Sequence, residues 1–515
     1  MEDGKRKRRL IYDCASGSGG FLVECVRRIR DDSNYNENDL DDLFQIRDAI
    51  IQGIYGSEIS AFAYYISEVN ILLQLTPIIK KILVINPEQQ AYQGKFTLGL
   101  LHENSLKMHE RLDEQLKEDS IDDYERTFND IEYDIGRPKS EKFSVFNFIK
   151  THDDFDYCFA NPPYIGENNN KELFRNTTRD IPYWKQYHQG KMDYLYWFII
   201  LAISKLKQGG KLGFITTSYW LTSSSGQKLR DYILKNVLIK EIIFFGQVKP
   251  FKNAQGQNSL IFILEKESDE EKRKNNGIKI VKALTENQKN SKKPTISAMI
   301  EHMQQYIDED TYSDSLIEVF PSPRKQGDLD ENAWFLFNDN IEDAVIDRMK
   351  KAGSQLDTLF DIHEGLITGC NKLDKNTLTK ISSNDIQKYS LTVGMGVFVL
   401  NNQELELIEL NKYESTLVKP FYKNSDIQRY WIDFNNCEYV FYLTKEINES
   451  KIPNLLYHLA GDNGTGKFRP ILESRKETKK KNDHWFTLHR PREQFIFDEE
   501  KIVFPYRSPV SRFAP

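Results

Sequence analysis

The most constraining feature of this sequence is an apolar run that ends abruptly in Asn161-Pro162-Pro163-Tyr164. Residues 155–160 are apolar and aromatic over the length of a strand, which predicts a buried strand. Two consecutive prolines cannot continue a β-ladder or enter a helix interior, so the backbone after Ala160 is expected to be stiff and extended. A loop of this kind, at the carboxyl end of a strand, lies where open α/β sheets bind ligands.

The chemistry of these four residues points to a planar amine as the ligand. The Asn161 side-chain oxygen and the Pro162 carbonyl are two acceptors for one –NH2 group, and Tyr164 offers a flat face for a ring. Two acceptors around an exocyclic amine favour a nitrogen whose lone pair can attack an electrophile. The alternative, a proline-rich surface turn after a buried strand, stays open on these residues alone.

A second candidate loop lies far upstream. A short strand over residues 10–14 is predicted to run into a glycine-rich turn, followed by a helix over residues 22–29. Gly17 and Gly19 would let a ligand approach the backbone closely, beside the N–H groups of the helix start. The spacing is not the dinucleotide-binding fingerprint, because Leu22 stands where a third glycine would be needed.

Strands and helices alternate through the first half of the chain. Seven strands are predicted before Lys266, which indicates an α/β fold with a Rossmann-like sheet. The acidic residues 31–48 are expected to form an insertion loop, and the helix that begins at Ala61 is expected to end before Pro77. The second strand ends at Glu58, whose carboxylate suits the ribose hydroxyls of a nucleoside or, alternatively, caps the helix that follows.

Together, Asp13-x-x-x-Gly17-x-Gly19 and Asn161-Pro162-Pro163-Tyr164 resemble the S-adenosylmethionine loop and the catalytic loop of N6-adenine DNA methyltransferases of the restriction-modification type. The resemblance implies a seven-stranded S-adenosylmethionine-dependent methyltransferase domain over residues 1–266 and a connecting region over residues 267–345. Residues 365–371, 418–421 and 424–427 resemble the target-recognition half of type IIG enzymes, which implies an α+β target-recognition domain over residues 346–515. The implied reaction is methyl transfer from S-adenosylmethionine to adenine N6 in double-stranded DNA, after the base has been flipped out of the duplex.

The resemblance also implies a role for individual residues. Asn161, Pro162 and Tyr164 would be catalytic, and Tyr164 would stack on the flipped base. Phe251 would stack beside it, although an ordinary loop anchor remains the alternative. No metal site is predicted. The residues implied to bind the cofactor are Asp13, Ala15, Gly17, Gly19, Phe21, Glu58, Ile59, Asn104, Ser105 and Asn161.

The chain has a net charge of −7, so any contact with nucleic acid depends on local patches. Residues 467–493 contain nine Lys and Arg against four Asp and Glu, a local charge of +5 that fits phosphate contact. A solvated face with salt bridges is the alternative. Residues 171–187 interleave bases with aromatics, which indicates either a nucleotide contact or a solvated lid. The predicted DNA-binding residues are Lys479, Lys480, Lys481, Arg490 and Arg492.

Composition and length bound the remaining expectations. Five scattered cysteines without a C-x-x-C pair predict reduced thiols in the cytoplasm. The sequence contains no run of eighteen apolar residues, so no membrane span is predicted. Only twelve residues precede Asp13, so the resemblance implies that the extreme N-terminal segment, and also the C-terminal end, is missing. A nuclease domain or subunit would then lie outside this chain. Methylation of a protein glutamine or of RNA, and a non-catalytic DNA-specificity fragment, stay open as alternatives.

Overall fold

The fold is taken from a computed structural model. The chain folds into two compact units, residues 1–346 and 347–515. The residues that the structure describes are 9–31, 36, 38–87, 97–109, 139–246, 248, 250, 258–284, 296–320, 324–337, 345, 348–349, 351–354, 356–433, 437–475, 478, 484–505, 508 and 512–514.

The first unit is built on one large twisted sheet whose described strands follow the order β3-β2-β1-β4-β5-β7-β6-β8-β10-β9, with β11 paired to β8. The strands from β3 to β5 run parallel, and β7 is antiparallel to both of its neighbours. The seven strands predicted before Lys266 are confirmed. The strands are β1 Ile11–Asp13, β2 Ile54–Glu58, β3 Gly99–His102, β4 Phe155–Ala160, β5 Leu206–Thr217, β6 Val237–Phe244, β7 Ser259–Lys266, β8 Gly277–Ala283, β9 Tyr312–Ser313, β10 Ile317–Val319 and β11 Arg324–Lys325.

Helices and short 3-10 turns connect these strands. The helix Leu195–Lys205 is buried along nearly its whole length, as expected of a helix that is apolar on every side. The described helices are Gly20–Arg30, Leu40–Ile51, Ala61–Ile85, Lys139–Thr151, Lys171–Asp180, Leu195–Lys205, Tyr219–Thr222, Gln227–Asn236, Glu270–Asn275 and Ile296–Tyr306. The 3-10 turns are Ser105–Met108, Glu167–Asn169, Pro182–Tyr187, Ser224–Gly226 and Gln326–Asp328.

Two local expectations are wrong. The helix Ala61–Ile85 continues through Pro77. Proline removes one backbone hydrogen bond, but Ile78 and Ile82 continue the buried face of the helix and offset that loss. The expected insertion loop contains the helix Leu40–Ile51, which Asp39 caps and which buries three apolar side chains despite its acidic composition. These buried side chains are Leu43, Ile46 and Ile50.

The second unit contains two small antiparallel sheets, ordered β12-β16-β13 and β14-β15. The strands are β12 Val399–Leu400, β13 Val418–Phe421, β14 Ile427–Gln428, β15 Trp431–Ile432 and β16 Glu438–Phe441. The helices and 3-10 turns are Leu356–Thr358, Lys375–Leu378, Ser383–Lys388, Asn402–Glu406, Lys412–Thr416, Glu449–Lys451, Pro453–Ala460, Arg469–Glu473 and Phe495–Asp498. The three-part division by function stays a prediction, while β8 to β11, from residues 267–345, extend the sheet of the first unit.

One buried carboxylate organises the core of the second unit. Glu414 accepts hydrogen bonds from the backbone N–H groups of Asn411, Asn454 and Leu455 at 2.8, 2.7 and 3.0 Å, and from Asn454 Nδ2 at 2.9 Å. Burial alone would raise the pKa of Glu414, but these donors outweigh it, and the pKa lies below its ordinary value.

We expect Glu414→Ala to lower the free energy of unfolding by about 3 kcal/mol or more at pH 7, because it leaves several buried N–H donors without a hydrogen-bond acceptor. A lowered pKa in the folded state gives stability that is present above the unfolded pKa of about 4.3 and is lost as pH falls through the folded pKa. Urea unfolding at pH 7 and at pH 3 would measure both effects. The exposed Glu406 gives a matched control as Glu406→Ala, and equal stability of the two variants would contradict the prediction.

Candidate functional site

The carboxyl ends of β1 to β4 form one edge of the sheet of the first unit. β1 pairs in parallel with β2 on one side and with β4 on the other, and β2 pairs in parallel with β3. Parallel strands end at the same edge, so the loops that follow Asp13, Glu58, His102 and Ala160 are neighbours. Both loops singled out in the sequence therefore lie at this edge.

Glu58 holds the glycine loop in place. Its Oε2 accepts the Gly17 N–H at 2.9 Å, and its Oε1 accepts the Ser60 N–H at 2.8 Å. The helix that follows is capped by Ser60, whose side chain accepts from the Ala63 N–H. The carboxylate therefore ties the loop after β1 to the end of β2, and its remaining lone pairs can still accept hydroxyl donors.

Gly17 and Gly19 have different roles. Both have positive φ, 54° at Gly17 and 84° at Gly19. A Cβ added at Gly19 would lie 2.5 Å from Ser67 Oγ, whereas one added at Gly17 would meet nothing within 4 Å. Gly19 is thus needed for packing against the helix Ala61–Ile85, while Gly17 leaves the backbone open to a ligand.

Asp13 is completely buried at the end of β1. Its Oδ1 accepts the Ala15 N–H at 3.0 Å, while its Oδ2 has no hydrogen-bond partner among the described residues. Burial and the nearby Glu58 raise the pKa of Asp13 to about 7, against the lowering effect of the Ala15 N–H. A buried carboxyl oxygen of this kind is suited to complete a hydrogen bond with a donor on a bound ligand.

The segment that follows β3 is hydrogen-bonded to the segment that follows β1. Ser105 Oγ donates to the Cys14 carbonyl at 2.5 Å, and Asn104 Oδ1 accepts the Leu106 N–H at 3.1 Å. The Ser105 hydroxyl therefore donates within the protein, which leaves Asn104 as the more accessible polar side chain of the two.

The two apolar residues implied to bind the cofactor also lie at this edge. Phe21 is partly exposed and stacks on Phe159, with ring centroids 6.2 Å apart. Ile59 has an exposed side chain, and its carbonyl hydrogen-bonds His102 Nε2 at 3.0 Å. Both side chains are accessible to a ligand at the sheet edge.

The loop after β4 joins Asn161 and Tyr164 directly. The Tyr164 hydroxyl donates to Asn161 Oδ1 at 2.6 Å and lies 3.1 Å from the Ile215 carbonyl. Asn161 is exposed, whereas Pro162 is buried beneath it. Burial and the neighbouring Asp193 raise the pKa of Tyr164 to about 12, so the phenol is protonated and donates. Asn161 therefore presents a side chain of fixed orientation at the sheet edge.

One positioning residue, Asp193, escaped the sequence analysis. Asp193 Oδ1 accepts the N–H groups of Ile165 and Leu195, both at 3.1 Å, and so clamps the residue after Tyr164. Trp184, in the stretch 171–187 that was expected to contact a nucleotide or form a solvated lid, is instead buried and donates from Nε1 to the Leu106 carbonyl at 2.9 Å. An Asp just before an apolar helical run is a pattern typical of a helix start, which could have identified Asp193.

The predicted DNA-binding residues lie in the second unit. Arg490 pairs its backbone with Ile367, and Arg492 forms an ion pair with Glu364. Lys479, Lys480 and Lys481 lie outside the described residues, and so does Phe251.

Two kinds of feature are absent from the described residues. No helix in this part of the chain is long and apolar enough to cross a membrane. No group of three or more His, Cys, Asp and Glu side chains there is arranged to hold a metal ion.

Comparison with known proteins adds family information to this geometry. Residues 52–251 match the model of the Eco57I restriction-modification methylase family. The Type II methyltransferase M.HincII of Haemophilus influenzae is 36% identical over 107 residues, which are 20% of this chain and 21% of that protein. The Type II restriction enzyme and methyltransferase RM.Eco57I of Escherichia coli is 26% identical over 278 residues, which are 50% of this chain and 24% of that protein. The predicted resemblance to restriction-modification methyltransferases is confirmed.

The chain spans less than a quarter of the length of these two curated relatives, 21% and 24%. Among solved structures, the Type IIL restriction-modification enzyme MmeI in complex with DNA has 12% sequence identity and a TM-score of 0.46. That match covers 94% of this chain and 51% of MmeI.

We expect Asp13→Asn to be more stable than the wild type at pH 8, by up to about 4 kcal/mol. Because the folded pKa is raised to about 7, wild-type stability is fully present below the unfolded pKa of about 3.9 and falls as pH rises through 7. The neutral amide avoids that loss, so the difference should close below pH 4. Thermal unfolding between pH 4 and pH 8 would measure it, with the exposed Asp154→Asn as control. A wild type as stable as Asp13→Asn at pH 8 would contradict the prediction.

Proposed function

We propose that this chain is a site-specific DNA methyltransferase that transfers a methyl group from S-adenosylmethionine to adenine N6 in double-stranded DNA. It would act as the modification part of a restriction-modification system. The observation that carries the proposal is the meeting of two loops at one sheet edge. β1 and β4 are hydrogen-bonded neighbours, so the loop that contains Gly17 adjoins the loop that contains Asn161.

The residues at the ends of β1 to β3 fit a nucleoside cofactor that carries charge. The open backbone at Gly17 offers a close approach, and Asp13 Oδ2, which has no partner within the described part of the chain, offers an acceptor. Glu58 is suited to ribose hydroxyls, and Asn104 offers a polar group for a purine. When bound, S-adenosylmethionine would supply an electrophilic methyl group on a sulfonium. The rest of the cofactor site would be lined by Ala15, Gly19, Phe21, Ile59 and Ser105.

Asn161 and Pro162 would bind the substrate amine. Asn161 Oδ1 accepts from Tyr164, and an amide oxygen has a second lone pair for an N–H of adenine N6. The Pro162 carbonyl would accept the other N–H. Holding both hydrogens would direct the N6 lone pair at the methyl group that the cofactor supplies, and the N6 proton lost on transfer would pass to water. The rate enhancement would come from the orientation of N6 and from hydrogen-bond acceptors that are held in place before the reaction.

The Tyr164 ring would stack on the flipped base, since an enzyme that modifies a base inside a duplex must first extrude it. Phe251 would contact the other face. Three lysines, Lys479 to Lys481, with Arg490 and Arg492, would contribute phosphate contacts in the second unit.

Transfer of labelled methyl groups from S-adenosylmethionine to plasmid DNA, total protein or RNA would identify the substrate class. Incorporation into DNA at adenine N6 is the expected result. Label in protein glutamine or in RNA would replace the proposal by one of those two activities. DNA binding without label in any substrate would identify a non-catalytic specificity fragment.

We expect Asn161→Ala to reduce methyl transfer about 10²–10³-fold, because one fixed hydrogen-bond acceptor is lost at the reacting nitrogen. Cofactor affinity, measured by calorimetry with S-adenosylmethionine, should fall far less than the rate, because Asn161 is only one of the residues implied to bind the cofactor. Asn169→Ala removes an exposed amide from the same loop and serves as the control. A variant that keeps more than about a tenth of wild-type activity would exclude a catalytic role for Asn161.

We expect Tyr164→Ala to weaken binding of the flipped base by about 1–3 kcal/mol, the usual value of base stacking. Tyr164→Phe keeps the ring and loses the hydroxyl contacts with Asn161 and with the Ile215 carbonyl, so base binding should persist while the rate falls less than tenfold. The fluorescence of 2-aminopurine at the target position would report base binding, and single-turnover rates would report the chemistry. Equal damage to base binding in both variants would rule out stacking.

A further inference from the structure

A two-residue hairpin of the second unit carries exposed aromatic side chains. β14 and β15 pair with Gln428 opposite Trp431, so Arg429 and Tyr430 form the turn. Tyr430 is 75% exposed and Trp431 is 54% exposed. Phe513, also exposed, adjoins the turn because its carbonyl accepts the Tyr430 N–H at 2.6 Å. An exposed aromatic cluster of this kind marks an interaction site.

The turn holds Tyr430 in a conformation that glycine would adopt more easily. Its φ is 73°, in the left-handed region, where a bulky side chain is an outlier. The hairpin is nonetheless fixed at its base, because Ile427 is buried and the Asp433 N–H donates to the Asp426 carbonyl at 2.8 Å. A strained aromatic on a fixed turn is typical of a functional position.

The charges around the hairpin tip are complementary to phosphate. Arg429 lies in the turn itself, and Arg512 Nη1 lies 3.5 Å from the Ile427 carbonyl. The two nearby carboxylates, Asp426 and Asp433, lie at the base of the hairpin and not at its tip, and Asp426 already accepts from the Lys423 N–H and from Ser425 Oγ. The tip therefore combines flat rings with guanidinium groups, the chemistry that binds stacked bases and their phosphates.

We propose that the hairpin formed by β14 and β15 enters a groove of duplex DNA, where Tyr430 and Trp431 contact the bases and Arg429 a phosphate. A two-stranded ribbon fits the major groove, where exposed rings at its tip can make apolar contacts with base edges such as the thymine methyl group. The inference rests on the proposed function, since it assumes that DNA is the substrate.

The test is Tyr430→Gly, which removes the ring and also relieves the backbone strain. Affinity for mixed-sequence duplex DNA should fall about 5- to 150-fold, while the melting temperature should stay constant or rise. Tyr457 is 58% exposed on the helix Pro453–Ala460 of the same unit, so Tyr457→Ala is the control and should bind DNA like the wild type.

Several outcomes would overturn the proposal. If the wild type methylates DNA and Tyr430→Gly binds DNA equally well, the hairpin proposal fails while the proposed function stands. A melting temperature that falls together with DNA affinity would assign the ring a structural role instead. A change confined to self-association in sedimentation would identify an interface between two copies. A wild type that neither binds nor methylates DNA would overturn both proposals.

Discussion

The candidate site depends on the parallel pairing of β1 with β2 and β4. This pairing brings together the ends of strands that lie more than forty and more than one hundred residues apart along the chain, with Asp13 opposite Gly56 and Ile11 opposite Tyr157. A one-residue slip of β1 would turn its buried side chains to the other face of the sheet and displace Asp13 from the edge. The buried apolar residues of β1 therefore determine the position of a polar group that lies at the end of the strand.

The same sheet edge contains one carboxyl group that stabilises the fold and one that destabilises it. The Glu58 carboxylate is satisfied by two N–H groups and stabilises the loop around Gly17. Asp13, by contrast, is buried with one oxygen unpaired among the described residues, and burial raises its pKa to about 7. A protein selected only for stability would not keep such a carboxyl. The role proposed for Asp13 is to accept a hydrogen bond from a ligand, in line with the general conflict between stability and function at active sites.

Local sequence patterns predicted the strands well, but they did not predict the hydrogen bonds between residues that are distant in sequence. The seven strands and the loop at residues 161–164 follow from short apolar runs and from the two prolines. The helix through Pro77 did not, because burial of Ile78 and Ile82 outweighs a local rule. Contacts such as Asp193 to Ile165, or Tyr164 to the Ile215 carbonyl, join residues 28 and 51 positions apart. No local pattern encodes them, since they arise only once the sheet has formed.

The basic patch shows the same limit for electrostatics. A charge of +5 over residues 467–493 was expected to bind phosphate, but several of its described cations have partners within the second unit. The Arg475 guanidinium donates to four backbone carbonyls, and Arg469 and Arg492 form ion pairs with Glu473 and Glu364. Cations used in this way stabilise loops and contribute less to a long-range field. Counting charges thus overestimates a nucleic-acid surface, because a cation paired within the protein contributes less to the field than a free one.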